Sequence, residues 1–378
     1  MPLPRLEIDL EKISHNARTL VSRLGKRGIT VTGVTKATLG SADIAGALLD
    51  AGVSDLADSR IENIEAMRHA QIPARMSLIR SPMLSQVKRV VMSADVSFNT
   101  ELAVLKRLSA EAQAQQRTHG VVLMIELGDL REGIMPVDLN SIVGETLKLP
   151  NIALKGIGAN MACRSGASPD DINMQVLSDL ATAIEARFGI SIDVVSGGNS
   201  ANLEWAFNSA CTGQINNLRL GESILLGRET LHRHAIEGLH TDAIFLVAEV
   251  IESKIKPTMT SGCVAQSAFG EMPEPIDRGD IRQTIFALGI QDIDPRGLKP
   301  TGDTEILGCS SDHLITTSTS MDGMQIGEQM TFQLDYSALI RAMTSPFVSK
   351  LIKPVSNSAY ATEKNHQGLL KKKKEHCN

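Results

Sequence analysis

The chain reads as an α/β protein: a (β/α)8 barrel of the TIM type followed by a C-terminal all-β domain. Three observations predict this. Eight short apolar, β-branched runs recur between Ile29 and Leu220, with helical patterns between most of them. After about His234 the apolar runs stay short, Gly, Pro and Asp turns separate them, and no long helix intervenes. From Pro354 apolar periodicity stops and the chain ends in a basic run, Lys371-Lys372-Lys373-Lys374. The expected organisation is a barrel over residues 1–234, a β domain over 235–353 and a disordered basic tail over 354–378.

The opening segment, Leu6-Glu7-Ile8-Asp9, precedes a helical pattern of Ile13, Ala17, Leu20 and Leu24 that Asp9 could cap, an extra helix ahead of the barrel. The first barrel strand is Ile29-Thr-Val-Thr-Gly-Val-Thr-Lys36. Gly40 turns the chain, and Ser41 can cap a helix with Ile44, Leu48 and Ala51 on one face and Gly52 past its end. Val53–Asp58 is the second strand, and Ser59-Arg-Ile-Glu62 matches a capping box opening a helix with Ile61, Ile64 and Met67 inward. Met76–Arg80 and Asp95–Phe98 each precede a helical pattern, and Gly120–Leu127 is the clearest fully buried strand. Ala153–Ile157 leads to a long helix in which Ser168 is the cap, Pro169 takes the first turn, Ile172, Val176, Leu180 and Ile184 face inward, and Gly189 stops it. Ile190–Val195 and Asn216–Arg219 complete the eight. In the second domain the strands are Ala243–Ile251, Arg282–Leu288, Thr304–Leu307, Leu314–Thr317 and Gln329–Leu334.

Bulk properties narrow the function classes. A net charge of -5 and a pI near 6.0 give no reason to expect nucleic acid or an anionic membrane as partner. The five cysteines are scattered and never form a CxxC, which fits free thiols in a reducing compartment. No apolar run reaches the roughly 18 residues of a membrane span and no signal-peptide core opens the chain. A cytoplasmic protein acting on a small molecule is the expectation. Aromatics are only 3%, so aliphatic residues must build the core.

The polar residues at the carboxyl ends of the barrel strands are Lys36, Asp58-Ser59-Arg60, Arg80, Asn99, Glu126 with Asp129-Leu130-Arg131-Glu132, Asn160, Ser196-Gly-Gly-Asn199-Ser200 and Arg219. That rim is where such barrels keep their chemistry. A lysine desolvated there has a lowered pKa, and a neutral amine can form a Schiff base; the plainer reading is a lysine that snorkels from a strand end. Ser196–Ser200 offers small residues and free N–H groups suited to a phosphate, or is simply a tight strand-to-helix turn. Arg219, before Gly221, either serves the site or pairs with Glu222. Arg131 can fork onto a carboxylate or be solvated. His232 and His234 are two apart, which reads as a linker pair rather than metal ligands.

Taken together, Val31-Thr-Gly-Val-Thr-Lys36, Ala57-Asp58-Ser59-Arg60, Met124-Ile-Glu-Leu-Gly-Asp-Leu-Arg131-Glu-Gly133, Val195-Ser-Gly-Gly-Asn-Ser200, Asn217-Leu-Arg219-Leu-Gly221-Glu222 and Leu307-Gly-Cys309-Ser-Ser-Asp312-His313 resemble, in order and over residues 3 to about 350, the alanine-racemase-like, fold-type III pyridoxal-phosphate (PLP) enzymes. The ornithine/lysine racemase branch is the most similar. The resemblance implies that Lys36 holds PLP as a Schiff base, and that Ser200 and Gly221, with the neighbouring Asn199, Glu222 and Asn160, make the cofactor site. It implies that Arg219 faces the pyridine nitrogen and that Arg131 helps to hold the substrate carboxylate. It also implies a head-to-tail homodimer.

Racemisation needs an acid/base group on each face of a planar carbanion. Lys36 serves one. The family's second group is a tyrosine near the start of the β domain, where this chain reads Ser267-Ala-Phe269-Gly270. Its two tyrosines are Tyr336, whose alternation suggests a late strand, and Tyr360 in the tail. The candidates in place of the family's tyrosine are Cys309, Asp312 and His313. A distal ammonium on ornithine or lysine wants a carboxylate, and Asp58 leads a set of options with Glu62, Glu126, Asp129 and Glu132. The competing readings are a PLP-dependent D-amino-acid lyase or aldolase, a PLP carrier, and a cofactor-free Schiff-base aldolase.

Overall fold

The protein is described by a computed structural model over residues 2–270, 276–318 and 323–354. Lys371–Lys374 and Tyr360 lie outside the described residues. Its contacts divide the chain into two units, Leu10–Thr241 and Asp242–Lys353, the latter taking in the segment up to Asp9. The first strand, β1 (Arg5–Asp9), therefore belongs with the β domain, and the division falls at 241/242 rather than 234/235.

In the larger unit α1 (Leu10–Gly25) leads into an alternating series. It runs β2 (Thr30–Val34), α2 (Ala42–Asp50), β3 (Asp55–Asp58), α3 (Ile61–His69), β4 (Met76–Leu78), α4 (Val87–Ser93), β5 (Val96–Asn99) and α5 (Leu102–Ala114). It continues with β6 (His119–Ile125), α6 (Leu139–Leu147), β7 (Ile152–Ala159), α7 (Asp171–Phe188), β8 (Val194–Ser196), α8 (Leu203–Asn208), β9 (Asn217–Leu220) and α9 (Glu222–Leu226). Strands β2 to β9 pair in parallel and close, with Thr32 of β2 opposite Arg219 of β9. This is the expected eight-stranded TIM-type barrel. Its strands read as continuous apolar runs because both faces are covered: every residue of β6 is buried.

The barrel's interior is divided by polarity. Val96, Phe98, Val122 and Met124 form an apolar cluster on β5 and β6, with Ile79 against it. On β8, β9 and β2 the lining is polar: the Asn217 amide donates to Thr32 Oγ1 at 2.9 Å and Thr30 Oγ1 at 3.2 Å, and Ser196 donates to Asn217 Oδ1 at 2.7 Å. Gly156 on β7 has no room for a side chain, since a Cβ would lie 1.8 Å from the Val194 carbonyl oxygen. Glycine there lets β8 lie close.

Two local expectations change. Helix α7 opens one residue after Asp170, whose side chain accepts from Asn173 N–H in a capping box, so Ser168 is not the cap. Its inner face is Met174, Leu177, Ala181 and Ile184, while Ile172 is 77% exposed. The sequence carries two overlapping apolar stripes, and the one with small Ser178 and Ala181 is buried because it allows the closer approach. The N-cap of α3 is Arg60 rather than Ser59, and its N–H is taken by Asp58 Oδ1 at 2.9 Å.

The smaller unit is a mainly antiparallel sheet. Its further strands are β10 (Ile244–Pro257), β11 (Asp280–Ala287), β12 (Leu298–Pro300), β13 (Thr304–Cys309), β14 (His313–Ser318) and β15 (Gln329–Leu334), followed by α10 (Tyr336–Thr344) and β16 (Ser349–Lys353). The order β12-β15-β10-β11-β14-β13 runs through it. β1 lies antiparallel to β10 and parallel to β16. Phe286 and Phe332 meet edge to face at 5.4 Å in its core. The sheet also carries a helix: α10 has an inner face of Ala338, Leu339, Ala342 and Met343, and Tyr336 is its first residue rather than part of a strand. Asp335 makes the break, capping the helix by accepting from Ala338 N–H at 2.9 Å.

Candidate active site

β2 ends at Val34, and Lys36 opens a single 3-10 turn, Lys36–Thr38, that closes at Leu39 in the left-handed conformation. Thr35, fully buried, ties that turn to β3: its N–H donates to Ala57 O and its hydroxyl to Asp58 Oδ2 at 2.8 Å. The turn that carries Lys36 is thus fixed at the barrel's carboxyl rim. Burial lowers its pKa, Arg131 and Arg219 push the same way, and Cys163 and Asp58 oppose. A lysine so placed keeps more of its amine neutral than an exposed one.

Arg219 lies at the centre. Its Nη1 donates to Ser196 Oγ at 2.5 Å and its Nη2 to Ala159 O at 2.8 Å and, more weakly, to Asn160 Oδ1 at 3.4 Å. The guanidinium carbon stands 5.2 Å from the centre of the Phe98 ring. These acceptors are all uncharged. Burial pulls the guanidinium down to about 10, with Arg131 acting the same way and Glu132 and Cys163 opposing. It stays protonated at neutral pH, a fixed donor rather than a proton acceptor.

Asn160 connects this centre to the β6 loop. Its Nδ2 donates to Asp129 Oδ2 at 2.9 Å, and its Oδ1 accepts from Asn199 Nδ2 at 3.1 Å. Asn199 also donates to Met161 O and, at the entry to the 3-10 turn Ser200–Asn202, accepts from Ala201 N–H. The turn before it needs glycine: Gly198 has φ +151°, and a Cβ would lie 2.1 Å from Asn202 Oδ1. Ser200 and Ser223 hydroxyls meet at 3.0 Å, and Ser223 N–H donates to Ser200 Oγ at 3.2 Å. Gly221 lies against β2, where a Cβ would be 3.1 Å from Val34 O. Glu222, next to it, is ion-paired with Arg233.

The loop after β6 is built around carboxylates. Glu126 accepts from the N–H groups of Gly128, Leu130 and Arg131. Asp129 accepts from Asn160 and from the N–H groups of Cys163 and Arg164. Burial alone would raise its carboxyl, but these donors and Arg131 hold it below the usual range. Arg131 lies over the loop with Nε 2.8 Å from Glu132 Oε2 and 3.6 Å from Asp129 Oδ2, and Nη1 3.1 Å from Cys163 Sγ.

The barrel therefore gathers Lys36, Arg131, Asn160, Asn199, Ser200, Arg219, Gly221 and Glu222. Asp58 has a different role from the one expected of it. It is fully buried, accepting from Thr35, Asn63 and Arg60 N–H, and burial raises its carboxyl despite them. It braces the Lys36 turn and is not a free carboxylate awaiting a substrate cation. Asn99 is likewise buried, donating to Ser97 O at 2.7 Å. Cys163 was legible only as a free thiol, because its contact with Arg131 depends on how two loops fold.

Cys309, Asp312 and His313 belong to the smaller unit. Asp312 is exposed and accepts from Gln291 Nε2 at 2.8 Å and from Ser311 Oγ at 2.7 Å. His313 Nδ1 is 3.2 Å from Ser310 Oγ. Burial pushes the Cys309 thiol up to about 11, which keeps it protonated at neutral pH. Phe269 sits in a turn, half exposed.

Comparison with known proteins places this arrangement. Residues 8–229 match the alanine racemase N-terminal domain family. The ornithine racemase of Acetoanaerobium sticklandii is 37% identical over 350 residues, 92% of this chain and 99% of the relative. The lysine racemase of Thermotoga maritima is 37% identical over 355 residues, 94% of this chain and 99% of the relative. Among solved structures, an alanine racemase from D-cycloserine producing Streptomyces lavendulae shares the fold, with a TM-score of 0.75 at 18% identity over 94% of this chain and 98% of that one. A family match spanning more than half of the chain, and two relatives aligned over nearly their whole length, establish that this chain belongs to the alanine racemase family.

Proposed function

We propose that the protein is a PLP-dependent racemase of basic amino acids, interconverting the L and D forms of ornithine or lysine. The observation that carries the reading is the near-full-length similarity to an ornithine racemase and a lysine racemase. The barrel's own residues fit the cofactor the family implies. Lys36 offers a desolvated amine for its attachment, and Arg219 a buried guanidinium with only neutral partners. The close approach of Gly221 to β2, where a Cβ would crowd Val34, and the facing Ser200 and Ser223 hydroxyls make a narrow cradle furnished with donors. Asn199 and Asn160 support that cradle, and Glu222 contributes through its backbone.

When bound, PLP draws electrons from the amino acid and acidifies its Cα–H. Lys36 Nζ takes or returns that proton on one face. Its lowered pKa suits the task, since an ordinary ammonium would hold its proton too tightly near neutrality. Arg131 holds the substrate carboxylate. Arg219 keeps its own proton and offers only hydrogen bonds, which favours return of the proton to Cα over its loss elsewhere. On the other face we assign the proton to the Cys309–His313 segment, with Asp312 as the acid/base and a head-to-tail homodimer as the assembly. Work in the cytoplasm completes the reading. The deciding experiment is chiral chromatography of L-ornithine, L-lysine and L-alanine after incubation with PLP-loaded protein. Conversion of either diamino acid towards an equal mixture supports the reading; retention of configuration by all three, with PLP bound, sinks it in favour of a lyase or a carrier.

A further inference from the structure

A racemase that prefers ornithine or lysine must recognise a second positive charge at the end of the side chain, and the barrel's carboxylates can be tested for that task by asking what each already holds. Asp58 is fully buried on Thr35, Asn63 and Arg60 N–H. Glu126 is filled by three backbone N–H groups, and Asp129 by two backbone N–H groups and the Asn160 amide. Glu62, on α3 rather than in the loop that carries Arg131, is engaged by Arg89 at 2.8 Å and Gln86 at 3.2 Å. Opening Asp58 or Asp129 would strand donors shielded from water, at about 1–3 kcal/mol for each, and opening Glu126 would undo three hydrogen bonds that shape its own loop.

Glu132 differs. Its Oε2 meets Arg131 Nε at 2.8 Å, and its side chain is 27% exposed. It adjoins the residue given the substrate carboxylate. A half-exposed ion pair of adjacent residues contributes about 0–1 kcal/mol, so it exchanges easily. It is also charge-matched to what would replace it: the substrate brings a carboxylate for the arginine and an ammonium for the glutamate.

From this we infer that Glu132 is the specificity-determining residue for basic side chains, and that the Arg131–Glu132 pair opens to take the two ends of the substrate. The inference rests on the racemase reading above. An alanine-type substrate brings only the carboxylate and leaves Glu132 unserved. The ammonium is remote from the reacting Cα and is held equally before and during proton transfer, so its loss falls on KM rather than kcat.

The test compares Glu132→Gln, a neutral isostere, with Glu132→Asp and the wild type. Substrates are ornithine and lysine against norvaline and norleucine, which have similar chains without the ammonium. Glu132→Gln should raise KM for ornithine and lysine about tenfold to hundredfold, the value of a hydrogen bond to a charged group, and leave norvaline, which no longer has to break the Arg131–Glu132 ion pair, unchanged or up to about fivefold better. Glu132→Asp should recover part of the loss. As a readout independent of turnover, calorimetric binding of 5-aminopentanoate, which keeps the carboxylate and distal ammonium but lacks the reacting α-amine, should weaken in parallel. Equal losses on norvaline and ornithine would overturn the inference, showing that Glu132 serves Arg131 alone, and so would no loss on either. A wild type that racemises norvaline but neither diamino acid would instead overturn the substrate reading on which it stands.

Discussion

Ser196 holds the barrel's central cation in place, and replacing it by alanine tests that directly. Its hydroxyl accepts from Arg219 Nη1 at 2.5 Å and donates to Asn217 Oδ1 at 2.7 Å, and all three side chains are buried. Ser196→Ala leaves a guanidinium N–H and an amide oxygen without their partner where water does not reach. A hydrogen bond to a charged group is worth roughly 1.5–3 kcal/mol and a neutral one roughly 0.5–1.5 kcal/mol, so the expected loss is about 3 kcal/mol, over a hundredfold in the folding equilibrium. The assay is urea unfolding followed by the fluorescence of Trp205, the chain's single tryptophan, which lies on α8 and reports the barrel alone. The racemase activity of the folded variant should fall as well, because Arg219 loses the contact that aims it. A loss below about 1 kcal/mol with unchanged activity would refute the claim that this hydroxyl positions Arg219.

Three further outcomes follow from the same geometry. Lys36→Ala should remove both racemisation and the visible absorbance of the PLP-loaded protein; a persisting band would take Lys36 out of its role. Asp312→Asn should stop racemisation while one enantiomer of ornithine still exchanges its Cα–H with D2O, measured by NMR, and normal racemisation would dismiss Asp312. His119 is buried with Nε2 2.8 Å from Ser97 Oγ, and burial, aided by Arg117 and opposed by Asp95, lowers its pKa to about 4. Its folded-state value lies below the ordinary 6.5, so the unfolded chain takes up the proton first. Stability should fall by about 3 kcal/mol as pH drops from about 6.5 to about 4, and His119→Gln should flatten that fall in urea titrations.

The features legible in the sequence are those that local pattern dictates. Lys36 follows a β-branched run and precedes Gly40. Ser196–Ser200 has the glycines its turn needs, and Arg219 closes the eighth apolar run. Each is fixed by neighbours within a few residues. Where pairing is distant or a pattern is double, the reading failed. α7 carries two apolar stripes, and only packing against the barrel selects Leu177 over Ile172. Asp58 looked like a free acid at a strand end, yet Thr35, twenty-three residues earlier, claims it. Tyr336 reads as the continuation of an alternating strand, although Asp335 with apolar Leu339, Ala342 and Met343 is a legible helix start.

The pairing of β1 has a consequence for how the protein is made. Arg5 to Asp9 leave the ribosome some 340 residues ahead of their parallel partners, which start at Ser349. At about 5–20 residues per second that is a wait of roughly 20 to 70 s, during which the whole barrel can emerge and close. Until β10 emerges, some 240 residues later, Leu6 and Ile8, both buried in the finished sheet, are exposed on an unpaired strand. β16 is then the last strand to pair, adding to the edge of β1 that β10 leaves free. A barrel can be complete on the nascent chain while the β domain still lacks its β1–β16 edge.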